Sequence, residues 1–390
     1  MESFALSEEA LRRRRGVKWR RYPEGVLPAW VADMDFLVAG PVDAAVRRVV
    51  DHGDYGYPGR AEEDAVEPAF ADRMRERHGW SIDAAGVQVV SDLVQAIIAS
   101  IVAYSGPGDG VVVQTPIYPP FLRAIETTRR RRVANPLRDD GTRFVLDAAG
   151  LESGVDDRTR MLLVCNPHNP TGRVFERHEL EALGRLAVDR DLVIVCDEIH
   201  ADLVYSGHRH LPIASLAPEI AARTVTLASA TKGFNIAGLR CGVMHFGSPA
   251  LMARFQDAIP AGMLGHASGI GADATVAAWR HGQPWLDGVL RQLEVNRDRV
   301  GAWAAGIDGL RHRPPEATYL AWLDWSAFDL PGACAQEFFL ERARVGLSPG
   351  QDFDRGAGNC VRLNFATAPD ILDRVLSRMS RSLEGLALGA

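Results

Sequence analysis

Three short apolar runs in the middle of the chain each break off into a polar motif, and this repetition constrains the fold more than any other feature. Met161-Leu162-Leu163-Val164-Cys165 runs into Asn166-Pro167-His168-Asn169-Pro170-Thr171-Gly172, and Leu192-Val193-Ile194-Val195-Cys196 runs into Asp197-Glu198-Ile199-His200. Val225-Thr226-Leu227-Ala228 runs into Ser229-Ala230-Thr231-Lys232. Continuous apolar runs of this length, bounded by polar segments, read as strands buried on both faces, the kind that make parallel sheets. Between them, residues 179–189 place Leu180, Leu183, Leu186 and Ala187 at helical spacing, a core-facing stripe. With Gly110-Val111-Val112-Val113-Gln114 upstream, strand and helix types alternate from about residue 86 to residue 246, which predicts an α/β domain with a mainly parallel sheet. Ligands bind such sheets outside the carboxyl ends of the strands, so the three motifs are expected to face one ligand.

Lys232 is the chemically most telling of these residues. A lysine among Ser229, Thr231, Gly233 and Asn235 can sit in a lined pocket as a nucleophilic amine, the form that condenses with a carbonyl cofactor. A Ser-x-x-Lys match alone is commonly an ordinary surface loop; its weight here comes from the two motifs that precede it.

Taken together, Asn169, Asp197, Ser229, Lys232 and Arg240 resemble, in order and spacing, the pyridoxal-phosphate enzymes of the class I/II aminotransferase superfamily. A finer resemblance points to its cystathionine β-lyase-like carbon–sulfur lyases. It is carried by Trp30-Val31-Ala32-Asp33-Met34-Asp35-Phe36, Tyr55-Gly56-Tyr57-Pro58, His168, Asp197-Glu198-Ile199-His200-Ala201-Asp202-Leu203, Thr318-Tyr319-Leu320-Ala321-Trp322 and Val361-Arg362-Leu363-Asn364-Phe365-Ala366. The likeness spans nearly the whole chain. It implies a large domain with a mostly parallel seven-stranded sheet and a smaller α+β domain.

The resemblance also implies roles. Lys232 would bind pyridoxal 5'-phosphate covalently and then act as base at the substrate's Cα, and Asp197 would hold the pyridine nitrogen protonated. Asn169 and His200 would face the ring's phenolic oxygen, Tyr118 would stack on the ring, and Ser229, Arg240 and the amides of Leu93 and Val94 would hold the phosphate. Asp197 as a helix cap and His200 as a satisfied structural histidine are the plain alternatives. Arg362 would grip the substrate carboxylate through a two-pronged guanidinium, with Asp35 also on the substrate side. Tyr57, or else Tyr55, would reach the site of a neighbouring subunit in a homodimer. Asp92 departs from the glycine usual at its position, and an acid there must turn away from the phosphate or meet a cation.

Composition narrows the classes. A net charge of -6 argues against general nucleic-acid binding, although Arg12 to Arg15 and Arg129 to Arg132 form short basic runs, read as solvated faces. The first residues lack a basic leader with an apolar core, and no uncharged apolar stretch reaches membrane length, so a soluble cytoplasmic protein is expected. Cys165, Cys196, Cys241, Cys334 and Cys360 lack metal-ligand spacing and read as buried reduced thiols; no metal is expected. From about Trp285 the pattern changes to a long amphipathic helix at 286–305, followed by mixed elements. This reads as a second, smaller domain; with the resemblance, which implies an N-terminal segment packed on it and a site in the cleft between domains and across a dimer interface, the expected division is an N-terminal segment (1–45), a large cofactor domain (46–284) and a small domain (285–390).

The expected reaction is β-elimination from an L-cysteine S-conjugate, a small sulfur-containing amino acid. Three other readings compete with it. They are an aminotransferase of the same fold, an enzyme decarboxylating and oxidatively deaminating a cysteine conjugate, and a regulator that keeps the cofactor but binds another protein.

Overall fold

Buried strands alternating with helices have one common solution, a twisted sheet between two helical layers, and the chain adopts it. The computed structural model describes residues 4–57, 59, 65–260 and 262–386; Pro58 of the Tyr-Gly-Tyr-Pro motif lies outside them. The large sheet comprises β1 (Val87–Val90), β2 (Gly110–Thr115), β3 (Arg131–Pro136), β4 (Thr159–Cys165), β5 (Val193–Asp197), β6 (Thr224–Ala228) and β7 (Gly242–Phe246). Their order is β1-β7-β6-β5-β4-β2-β3. Only β7 runs antiparallel to its neighbours, so the mostly parallel seven-stranded sheet is as the resemblance implied.

Side chains leave a strand alternately to its two faces, and the core divides accordingly. Val111, Val113, Leu163 and Val195 pack with Ile97 and Ile101 of the helix Leu93–Tyr104. Val112, Leu162, Val164 and Ile194 pack with Leu180, Leu183 and Ala187 of the helix Arg177–Asp189 on the other side. Each such buried aliphatic side chain contributes about 1.5–3 kcal/mol relative to exposure. In register, Cys165 stands opposite Asp197 and Asp197 opposite Leu227. The ends of β4, β5 and β6 are therefore level, and the three polar motifs leave the sheet side by side.

A smaller sheet of β8 (Arg311–His312), β9 (Leu320–Asp324), β10 (Ser348–Pro349) and β11 (Cys360–Asn364) is antiparallel, in the order β8-β9-β11-β10. The long helix runs Gln283–Ala305, starting three residues before the expected Leu286. Pro284 explains the difference, since proline fits a first turn whose amides have no helical partner. The N-terminal segment lies against this second sheet. Leu27–Pro28 pairs with Val345–Gly346, Asn364 N donates to Ala29 O at 2.9 Å, and Asp35 N donates to Ala366 O at 2.9 Å. Among the described residues no helix is long and apolar enough to cross a membrane.

Candidate active site

Where β4, β5 and β6 end, a crevice of about 480 Å³ opens, a size that suits a small cofactor with its substrate. Its wall includes Asp33, Asp92, Leu93, Val94, Tyr118, Asn169, Asp197, His200, Ser229, Lys232, Arg240 and Arg362. Lys232 sits on a single helical turn, Ala230–Gly233, rather than the expected loop, because Ser229 caps it: its Oγ accepts from Thr231 N at 3.1 Å and donates to Cys241 O at 2.6 Å. Lys232 Nζ donates to Ala32 O at 2.6 Å. Burial pushes the lysine's pKa down, which Asp33 and Asp197 partly oppose.

Asp197 is a buried carboxylate whose Oδ1 accepts from Ile199 N at 3.0 Å. Burial raises its pKa to about 7, so the site would favour a cation beside it. His200 is buried, its Nδ1 has no hydrogen-bond partner, and burial lowers its pKa to about 3, so the ring is neutral at physiological pH. Its ring meets Tyr319 edge-on at 6.2 Å.

Arg362 rises from β11 and is only 4% exposed. Nη1 donates to Asn169 Oδ1 at 2.9 Å, Nη2 donates to Trp30 O at 3.0 Å and Ser348 Oγ at 3.2 Å, and Nε has no partner. The guanidinium carbon lies 4.8 Å from the centre of the Phe353 ring. Burial brings its pKa down to about 10, so it remains charged, yet among the described residues no carboxylate pairs with it. A buried, unpaired guanidinium is costly unless an anion joins it.

The aminotransferase class I and II family model matches residues 33–379. The chain belongs to the class I and II aminotransferase family. Among its relatives, the cystathionine beta-lyase PatB of Bacillus subtilis is 35% identical over 93% of this chain and 96% of its own. A putative cystathionine beta-lyase of Mycobacterium leprae is 38% identical over 97% of each. The solved structure of a putative PLP-dependent beta-cystathionase from Corynebacterium diphtheriae superposes with a TM-score of 0.92 at 31% identity, covering 99% of this chain and 100% of that one.

Within this aminotransferase-family crevice, the open groups fit a phosphate-bearing pyridine ring. Asp197 suits a cationic ring nitrogen, and Asn169, whose Oδ1 is taken by Arg362, keeps its amide hydrogens for a ring oxygen. Tyr118 is half-buried on the same wall. At the end expected to hold the phosphate, Asp92 meets a cation, one of the two outcomes its acid required, but an expected amide is taken. Asp92 caps the helix Leu93–Tyr104, its Oδ1 accepting from Val94 N at 2.8 Å and Gln95 N at 3.1 Å, and its Oδ2 takes Arg240. The amide of Val94, expected to serve a phosphate, is thus engaged; that of Leu93, the first of the helix, has no helical carbonyl to meet.

Two other expectations fall outside the crevice. Asp35 is turned away from it, accepting from Lys18 Nζ at 2.8 Å and Trp19 Nε1 at 2.7 Å in a buried cluster. That pairing satisfies both charges and leaves Asp35 no group to offer a substrate. Tyr57 is fully exposed and Tyr55 largely so; neither lines the crevice. Conversely, Asp33 and Tyr319, within the motifs at 30–36 and 318–322, are residues of the site to which the sequence assigns no role. Asp33 lines the crevice, and Tyr319 OH donates to Ala32 O at 3.1 Å. The signal for Asp33 was its place two residues before Asp35 in the same motif.

Glu176, His178 and Glu179 are close enough to share a metal ion. Both acids are already engaged, Glu176 by Arg143 and Glu179 by Arg173.

Proposed function

We propose that this chain is a pyridoxal-phosphate-dependent carbon–sulfur β-lyase that cleaves an L-cysteine S-conjugate of the cystathionine type to a thiol, pyruvate and ammonia. The observation that carries the reading is the buried, acid-free Arg362, hydrogen-bonded to Asn169 on the wall that Lys232 and Asp197 share. It is supported by the carbon–sulfur lyase relatives, similar along nearly the whole chain.

Pyridoxal 5'-phosphate, when bound, supplies an electron sink for charge developing at the substrate's Cα. The protein's residues provide the rest. Asp197 would hold the ring nitrogen in its charged form, and Lys232 would hold the cofactor in the resting enzyme. Lys232, when not bonded to the cofactor, would be an amine whose burial favours the neutral, basic form, and would take the Cα proton. Arg362, oriented by Asn169, would fix the α-carboxylate, which turns the Cα–H bond towards Lys232 and keeps the carboxylate from leaving. Electrons from the broken Cα–H bond then expel the sulfur at Cβ as thiolate, and water completes release of pyruvate and ammonia.

The reading extends to assembly and setting. We place the fully exposed Tyr57 in the crevice of a second copy, making the enzyme a homodimer; two large exposed aromatics, Tyr55 and Tyr57, favour such a contact. We divide the chain into an N-terminal segment at 1–45, a large domain at 46–284 and a small domain at 285–390. Five buried cysteines, without metal-ligand spacing, suit the reducing cytoplasm.

Lys232→Ala tests the reading. The variant is expected to lose the cofactor after borohydride reduction, where the wild-type chain keeps it on the Lys232 peptide, and to release no thiol from S-ethyl-L-cysteine. Wild-type thiol release by the variant would contradict the proposal.

A further inference from the structure

Four consecutive carbonyls of the N-terminal strap that crosses the crevice are each held by side chains. Trp30 O accepts from Arg362 Nη2 at 3.0 Å and Ser348 Oγ at 2.8 Å, and Val31 O from Asn364 Nδ2 at 2.6 Å. Ala32 O accepts from Lys232 Nζ at 2.6 Å and Tyr319 OH at 3.1 Å. Asp33 O accepts from Lys18 Nζ at 3.1 Å and Asn364 Nδ2 at 2.8 Å. The strap is therefore fixed at every residue from 30 to 33, and Lys232 is one of its clamps. The residue next to that clamp, Asp33, lies on the crevice wall.

The reading above leaves Asp33 as the one charged side chain on that wall without a task. Asp197 serves the ring nitrogen, Arg240 and Asp92 stand at the phosphate end, and Arg362 takes the substrate carboxylate. We infer that Asp33 is a positioning residue for Lys232, its carboxylate stabilising the positive charge that the lysine nitrogen carries during the reaction. The inference rests on the reading of Lys232 as the cofactor-bearing base.

The groups around Lys232 come from three elements. Asp33 lines the crevice with Lys232 and follows Ala32, whose carbonyl takes Lys232 Nζ; Asp197 at the end of β5, Arg362 on β11 and His200 line the same crevice, and Tyr319 OH shares the Ala32 carbonyl. Burial lowers the pKa of Lys232 most; of the charges, Asp33 acts more strongly than Arg362 or Asp197 and in the raising direction. Asp33 is itself pushed up by burial and drawn down by Lys232 first and Lys18 second. Once Asp197 is engaged by a cationic ring nitrogen, its field is neutralised, and Asp33 remains as the acid that offsets burial at Lys232. Without it, the lysine nitrogen would hold poorly the proton taken from Cα.

The test uses the cofactor-loaded protein without substrate. The visible absorbance of the bound cofactor is followed against pH in wild type, Asp33→Asn and Asp33→Glu. The strap bonds of residue 33 use its backbone carbonyl, so neither substitution removes them. The pH midpoint is expected to fall by about one unit in Asp33→Asn, the size of effect a nearby opposite charge has on a titrating group, and to return towards wild type in Asp33→Glu. A midpoint in Asp33→Asn equal to that of wild type overturns the inference. Absence of cofactor from Lys232 in borohydride-reduced wild type, read by peptide mass, overturns instead the reading beneath it.

Discussion

Arg362 Nη1 donates to Asn169 Oδ1 at 2.9 Å, joining the smaller sheet to the loop that follows β4. Each residue is thereby oriented for a different partner, Asn169 with its amide hydrogens towards a ring and Arg362 with Nε uncommitted. The guanidinium that would read the substrate is thus aligned by a residue that reads the cofactor.

Truncation of Arg362 should therefore act on substrate binding. For Arg362→Ala, the binding of a substrate amino acid, measured by spectral titration of the loaded enzyme, is expected to weaken by about 2–5 kcal/mol, the cost of leaving a desolvated carboxylate unpaired. Arg362→Lys should recover only part of this, because an ammonium lacks the planar two-pronged fork. Cofactor content should remain that of wild type.

The raised pKa of Asp197 gives the cofactor-free protein a pH signature. Its carboxyl holds the proton more tightly folded than unfolded. Its contribution to stability is therefore full below the ordinary value of 3.8 and is lost as pH rises through about 7. The melting temperature of Asp197→Asn, relative to wild type, should accordingly climb between pH 4 and pH 7 in cofactor-free protein. A constant difference over that range would mean that Asp197 titrates normally.

Asp92 places a negative charge at the phosphate end of the crevice. Asp92→Asn keeps a good helix cap and a neutral acceptor for Arg240 while removing that charge. The cofactor's dissociation constant, titrated by fluorescence on cofactor-free protein, should fall about fivefold, corresponding to ~1 kcal/mol for a partly exposed charge. A weaker complex would show that the ion pair with Arg240 is needed to present the arginine to the phosphate.

The proposed homodimer with shared sites is tested by a complementation experiment. Lys232→Ala and Tyr57→Ala chains, each expected to be poorly active alone, should regain activity when unfolded together and refolded, because hybrid dimers contain one crevice with both residues intact. Absence of recovery in hybrids isolated by affinity tags would place Tyr57 outside the partner's site.

Much of this arrangement was legible in the sequence because strand ends are legible. The runs before Asn166, Asp197 and Ser229 are apolar to the last residue, and level register in β4, β5 and β6 brings their motifs together. Less could be read where partners come from distant segments. Asp33 and Asp35 stand two residues apart in one motif, and nothing local separates them. Lys18 and Trp19 draw Asp35 into a buried cluster and leave Asp33 to the crevice. Likewise Asp92 was visible as a departure, but its twofold engagement by a helix start and by Arg240 depends on β7 and the loop before it lying beside β1.

The most direct test of the central claim is product stoichiometry with L-cystathionine in the absence of any 2-oxo acid. Free thiol and pyruvate should appear in equal amounts over many turnovers. A reaction that stops after one equivalent and resumes only when a 2-oxo acid is added would contradict β-elimination and make the enzyme an aminotransferase.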